Sequence, residues 1–116
     1  MKVINYTDIL PVTMDNDMVK NVAGRLLIGR EDGANNFSMR LFEMGSKGHT
    51  PKHSHPWEHE VFVHKGTGEV FMDGQWHSLS EGSAIFVPPN VEHQFRNTAD
   101  KDFAFVCLVP PTAPEL

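Results

Sequence analysis

The chain has 116 residues, which is long enough for one domain with a buried core and no disulfide. Its formal net charge is -5 and it has no basic run, which argues against a nucleic-acid partner. Cys107 is the single cysteine, so no intrachain disulfide can form and a reducing compartment is expected. The first residues lack the apolar core of a signal peptide, and no apolar run approaches the roughly 20 residues of a membrane span. We therefore expect a cytoplasmic protein without a membrane partner.

Along the chain, short apolar runs alternate with turn formers, and no amphipathic helix pattern is found. Residues 1–24 are mostly irregular, although Val3-Ile4 could form a short strand. Further strands are predicted at 22–29, 37–44, 60–64, 70–72, 75–77, 84–87, 92–96 and 103–109, with turns that include 30–36 and 45–48. The spacing of the turn signals is typical of an all-β sandwich or barrel formed by one domain, residues 1–116. The proline-rich tail, 110–116, is predicted to lie extended on the surface.

The clearest local signal is Asp73-Gly74, which lies between two short runs that alternate in polarity. This pair suits the two-residue type I′ turn of a β-hairpin. In that register Phe71 faces Trp76 on one side of the hairpin, and Val70 faces His77 on the other.

Histidines concentrate in the segment from Pro51 to Glu60, which contains His53, His55 and His59. In an extended segment His53 and His55 point to the same face, because side chains alternate along a strand. Two imidazoles on one face, with a third four residues later, are placed to hold one metal ion. His93, far away in the sequence, is the candidate for a fourth ligand.

The spacing around these histidines resembles the paired motifs of the cupin superfamily. The first motif reads His53-Ser54-His55, three residues, His59, six residues and Gly66; the second reads Gly82, Pro88-Pro89-Asn90, His93 and Asn97. Asn90 replaces a glycine of the family pattern, a mild change because Asn tolerates the left-handed conformation. The resemblance implies a double-stranded β-helix, or jelly-roll, barrel.

The larger departure from the family pattern lies at its usual glutamate position. With three intervening residues this position holds His59, and with four it holds Glu60. Neighbours on a strand face opposite ways, so only one of them is expected to bind the ion. The spacing to Gly66 favours His59, and so do Val61 and Val63, which would then face the interior; Glu60 is the alternative.

A set of four histidines resembles that of a subset of small single-domain cupins that often bind manganese. The resemblance therefore favours one divalent ion, Mn first and Fe second. All-imidazole sites also suit Zn, Ni and Cu. Four neutral ligands would leave the full charge on the ion, which makes it a strong Lewis acid and a site for anions or oxygen.

Several other residues are candidates for the pocket. Arg40 lies mid-strand and either points to solvent or lines the barrel, where it would pair with an anionic substrate. Cys107 is either a small buried hydrophobe or part of the pocket wall near the metal. The rest of the expected wall is apolar and would exclude water: Val61, Val63, Phe95 and Phe105.

The leading functional hypothesis is a metal-dependent oxidoreductase, dioxygenase-like, that acts on a small organic molecule. The alternatives are a non-redox isomerase or lyase acting on a carbohydrate or keto acid, and a non-catalytic cupin that binds a small molecule or metal. Similar cupins usually dimerise by exchanging N-terminal strands. We therefore expect a homodimer in which residues 1–29 take part in the exchange.

Overall fold

Strands make up most of the regular structure, as the alternating apolar pattern predicts. The computed structural model describes residues 1–116 and contains nine strands and two 3-10 turns, Tyr6–Asp8 and Arg30–Asp32. The strands are β1 (Val12–Met14), β2 (Lys20–Ile28), β3 (Ser38–His49), β4 (His59–Lys65), β5 (Gly68–Met72), β6 (Gln75–Leu79), β7 (Ala84–Val87), β8 (Gln94–Arg96) and β9 (Phe103–Val109). None of the helical segments is long and apolar enough to cross a bilayer.

The long strand β3 is the centre of the sheet. One edge of β3 pairs with β2, which in turn pairs with β1. The other edge pairs first with β9 and then, at His49, with β8. From these contacts one arm continues as β9-β4-β7 and the other as β8-β5-β6, with every pairing antiparallel. The result is a curled all-β domain, which confirms the predicted fold class.

Alternation along β4 determines which side chains face the interior. His59, Val61 and Val63 are buried, whereas Glu60 and Phe62 between them are exposed. The same alternation on β9 buries Phe103, Phe105, Cys107 and Val109 in the core, against β3 and β4. Aromatic contacts extend the core, and the Phe95 and Phe105 rings stack with centroids 4.8 Å apart.

The hairpin predicted at Asp73-Gly74 is confirmed. Val70 pairs with His77 and Phe71 with Trp76, in the register expected from the sequence. Asp73 and Gly74 both adopt positive φ, 54° and 75°, as a type I′ turn requires.

Two local predictions are wrong. The predicted turn at 45–48 lies within β3, which continues to His49 because β2 keeps pairing with it as far as Lys20. Lys47 takes a positive φ of 62° in this stretch, so the turn formers produce an irregularity and not a reversal. Val3-Ile4 forms no strand.

The C-terminal tail, 110–116, is mostly exposed and is tied to the barrel by two hydrogen bonds and one buried residue. The Glu115 carboxylate accepts hydrogen bonds from the Arg30 backbone N–H, at 2.8 Å, and from the Ser38 hydroxyl, at 2.9 Å. Ala113 is buried in the core. Prolines end the strand pairing, but these bonds anchor the tail to residues near the start of β3.

Strands β1 and β2 pair within this one chain. The exchange of residues 1–29 in a homodimer therefore stays a prediction.

Asn97 joins the two arms of the sheet through its side-chain amide. Its NH₂ group donates to the carbonyls of Met44, Gly45 and Lys101 at 3.0, 3.2 and 2.8 Å, and its carbonyl accepts from the Ala99 N–H at 3.0 Å. Asn97 is 2% exposed, so no solvent replaces these partners. Such a buried amide satisfies several backbone groups that would otherwise lack partners.

We predict that Asn97→Asp lowers the free energy of unfolding by about 3 kcal/mol, because a carboxylate of the same shape cannot donate to the three carbonyls and would be buried beside them. Urea unfolding at neutral pH measures the loss. The matched control is Asn90→Asp, which makes the same change at an exposed position and should have little effect. Equal stability of the two variants would contradict this role for Asn97.

Candidate metal centre

A backbone bridge brings the two histidine segments together. The His53 N–H donates to the His93 carbonyl at 3.1 Å, and the His93 N–H donates to the His53 carbonyl at 2.9 Å. His59 is the first residue of β4, and His55 lies in the loop that precedes this strand. Residues about 40 positions apart in the sequence are thereby held at one end of the barrel.

Three of the predicted ligands form a compact group. One ring nitrogen each from His53, His55 and His93 lies within 4.8 Å of the others. His59 adjoins this triad, with its Nε2 atom 2.9 Å from Nε2 of His55 and its ring centroid 5.3 Å from that of His93. The structure therefore brings all four predicted histidines to one place.

Backbone carbonyls orient two of these rings. Nδ1 of His55 donates to the Trp57 carbonyl, and Nδ1 of His93 donates to the Val91 carbonyl, both at 2.8 Å. Because Nδ1 carries the proton in each ring, the lone pair lies on Nε2. Neutral imidazoles with this tautomer and a second hydrogen bond are the usual protein ligands of divalent transition metals. The donor set fits such an ion without selecting one element.

Burial keeps the four imidazoles neutral. It is the largest cause of the lowered pKa at His53, His55, His59 and His93. The effect is greatest at His59, where burial and the nearby Arg40 guanidinium lower the pKa to about 3. Metal ions bind the neutral form, so the site is ready for a metal at neutral pH.

His59 faces the candidate centre, and the alternative ligand Glu60 does not. His59 is 9% exposed and faces the other histidines, whereas Glu60 is exposed on the opposite face of β4. Without a break in the strand, Glu60 cannot turn inward unless His59 turns outward. The Glu60 carboxylate therefore lies outside the candidate centre.

The histidines open into a cavity of about 270 Å³. As predicted, Phe95, Phe105 and Cys107 line it. Val61 and Val63 do not line it; they lie further along β4 from His59 and pack in the core, which corrects their assignment to the pocket wall. The cavity is also lined by residues from several parts of the chain that were not predicted to reach it: Met14, Val19, Val22, Phe42, Thr50, Pro51, Trp57, Pro114 and Leu116.

Trp57 has a signal that could have identified it. It lies two residues after His55, and its ring stacks on the His55 ring with centroids 4.2 Å apart and an interplanar angle of 8°. By contrast, Met14 and Leu116 reach the cavity only because the terminal segments fold over the barrel. No local pattern predicts that contact.

Arg40 faces the interior and lines the cavity. It is 7% exposed, and no carboxylate forms a salt bridge with it. Its Nη2 donates to the Cys107 sulfur at 3.0 Å, its Nε has no hydrogen-bond partner, and its guanidinium lies 5.0 Å from the centre of the Phe42 ring. It is also the one Lys, Arg, Asp or Glu among the cavity residues. The cavity therefore contains a buried cation without an anionic partner.

A model of the cupin domain matches residues 40–109, and the chain belongs to the cupin family. This range includes all four histidines of the candidate centre and both aromatic residues of the predicted wall.

Among solved structures, the chain resembles the polyketide cyclase RemF from Streptomyces resistomycificus. The two are 31% identical with a TM-score of 0.91, over 98% of this chain and 82% of that chain. Protein SchB of Streptomyces halstedii is 39% identical over 54% of this chain and 46% of its own length. The polyketide synthase CurC of Streptomyces cyaneus is 32% identical over 72% of this chain and 54% of its own length. The chain thus spans about half the length of these two relatives.

We predict that His59→Ala weakens the binding of Mn²⁺ by about 100-fold or more, because it removes one ligand of the centre. Glu60→Ala, at the next position on the same strand, should leave the affinity unchanged. Titration of the metal-free proteins with Mn²⁺, followed by electron paramagnetic resonance, gives both dissociation constants. A loss in the Glu60 variant alone would reverse the assignment of the ligand.

The metal-free protein is predicted to lose stability as the pH falls below about 6.5. The pKa of His59 is about 3 in the folded chain and about 6.5 in the unfolded chain. Between these values the unfolded chain binds more protons, so the free energy of unfolding falls by at most about 1.4 kcal/mol per pH unit for this histidine. Urea unfolding with a chelator over this pH range measures the slope. His59→Gln, which cannot titrate, should have a shallower slope; an unchanged slope would contradict the assignment.

Proposed function

We propose that this chain is a metal-dependent cupin enzyme that binds a small carbonyl compound as its enolate, or as another anion, and promotes ring closure. The observation that carries the proposal is the uncompensated positive charge of the cavity. Four neutral histidines and one buried arginine meet there, and no carboxylate lines the wall.

The positive charge of Arg40 is buried without an anionic partner. Burying a charge without a partner lowers the stability of a protein by on the order of several kcal/mol, because the charge loses its hydration and gains no opposite charge. A divalent ion on four neutral imidazoles would add two further positive charges within the same cavity. An anionic ligand would offset the charge of Arg40 and the charge of the ion. This supports an enolate, phenolate or carboxylate as the bound species.

The shape and polarity of the cavity narrow the ligand further. The cavity volume of about 270 Å³ lies just below the range of roughly 300–1,000 Å³ that is typical of small-molecule sites. Phe95, Phe105 and Trp57 provide flat apolar surfaces, which suit a planar conjugated molecule or one end of a longer one. These features support an aromatic or enolised polyketone over a carbohydrate.

The relatives support the same class of substrate. RemF, a polyketide cyclase, resembles 98% of this chain, and CurC is named a polyketide synthase. Polyketides carry repeated ketone groups, whose enolates are stabilised by a cation at the oxygen. Ring closure of such a chain by carbon–carbon bond formation, with loss of water, needs enolate stabilisation and no oxidant.

Each group in the cavity has a role in this chemistry. A divalent metal, when bound, supplies a Lewis acid that polarises a carbonyl. The free N–H groups of Arg40 bind the negative oxygen of the substrate, and the aromatic residues orient the substrate and exclude water. Mn, then Fe, is the preferred ion by resemblance to four-histidine cupins.

The deciding experiment compares turnover with and without O₂. The protein is loaded with Mn²⁺, its metal content is verified by elemental analysis, and it is incubated with a panel of aromatic and linear polyketones. Mass spectrometry should find a product that has lost one water, formed equally well under anaerobic conditions. The dioxygenase-like reaction expected from the sequence would instead give a product that gains oxygen atoms and forms only with O₂. No product from verified metal-loaded protein across a broad panel would overturn the ring-closing proposal.

We predict that Arg40→Met lowers kcat/KM for the active substrate by about 10- to 100-fold, because a charge-assisted hydrogen bond to the anion is lost. The matched control is Arg96→Met. Arg96 pairs with Glu69 at 2.8 Å and does not line the cavity, so turnover should be unchanged. Equal losses in the two variants would indicate a general effect on stability and contradict the role of Arg40.

A further inference from the structure

The ring of His59 is oriented differently from those of His55 and His93. Its Nε2 faces His55, so its Nδ1 points away from the other histidines into the barrel. There it meets no backbone carbonyl within hydrogen-bonding distance. Its two neighbours are side-chain atoms: the Cys107 sulfur at 3.3 Å and Nη2 of Arg40 at 3.5 Å.

Only one of these neighbours can accept a hydrogen bond. If His59 binds a metal through Nε2, its Nδ1 carries the proton and must donate. The guanidinium of Arg40 has donors and no acceptor, so it cannot take this proton. The sulfur of Cys107 is a weak acceptor, and it already receives a hydrogen bond from Arg40 at 3.0 Å.

The backbone register fixes this contact. Cys107 on β9 pairs with Arg40 on β3 and with Val61 on β4. Val61 lies two residues after His59 on the same buried face of β4. The sulfur is therefore held between the arginine and the histidine by the two neighbouring strands, and Cys107 as a whole is 4% exposed.

We propose that Cys107 is a positioning residue for the metal centre. Its sulfur, held by Arg40, accepts the Nδ1 proton of His59 and thereby fixes the tautomer and angle at which His59 presents Nε2 to the ion. The inference rests on the proposed metal site but not on the proposed reaction.

The test is the affinity for Mn²⁺ alone, without substrate, in four proteins: the original chain, Cys107→Val, Cys107→Ser and His59→Ala. Valine is apolar, somewhat larger than cysteine and accepts no hydrogen bond, so Cys107→Val should bind Mn²⁺ about 10-fold more weakly. Serine restores an acceptor, so Cys107→Ser should stay within about threefold of the original chain. His59→Ala shows the loss when the ligand itself is absent.

Each outcome is decisive. Unchanged affinity in Cys107→Val overturns the proposal, and so does an equal loss in the valine and serine variants, which would indicate packing. Unchanged affinity in His59→Ala also overturns it, since His59 would then not be a ligand. Circular dichroism checks folding; if Cys107→Val does not fold, Cys107→Ala replaces it with the same expected loss. A failure to find turnover leaves these affinities interpretable, so the two proposals can fail separately.

Discussion

The pair of backbone hydrogen bonds between His53 and His93 is the constraint on which the candidate centre depends. It joins the segment before β4 to the segment before β8, and these strands belong to different arms of the sheet. Without these two bonds, His93 would be held only by the arm that contains β8, and nothing would join it to His55 and His59 at the start of β4. Asn97 strengthens the same junction, because its amide ties the end of β8 to β3 and to the turn before β9.

The centre combines neutral ligands with an unpaired cation. Burial disfavours the charged form of the four histidines of the centre, and Arg40 adds a further electrostatic penalty at His59. Because burial keeps these imidazoles unprotonated, no proton competes with a metal ion for their ring nitrogens. Burial of the Arg40 guanidinium without a carboxylate partner is unfavourable, because no opposite charge offsets its desolvation. Such a cost is typical of a functional site whose ligand supplies the missing negative charge.

Much of the fold could be predicted because local signals and tertiary pairing agree. The alternation in β4, the Asp73-Gly74 hairpin and the apolar run of β9 each point to one structure. The wrong predictions concern segments whose conformation depends on contacts with residues that are distant in the sequence. Gly45 to Gly48 has the composition of a turn, yet pairing with β2 keeps it in β3. The hydrogen bonds that Glu115 accepts, which tie the tail to the barrel, likewise had no signal in the sequence.

The sequence by itself determined the set of histidines, because their spacing in two motifs is a local property of the chain. It also favoured His59 over Glu60, because the spacing to Gly66 fits His59 and because an inward His59 places Val61 and Val63 inside as well. Only the tertiary structure decided that Arg40 faces the cavity, that Val61 and Val63 do not line it, and that Cys107 touches His59. These facts depend on the register of β3, β9 and β4 against one another. A shift of one residue would turn each side chain to the opposite face, and the pattern within a single strand does not specify its register.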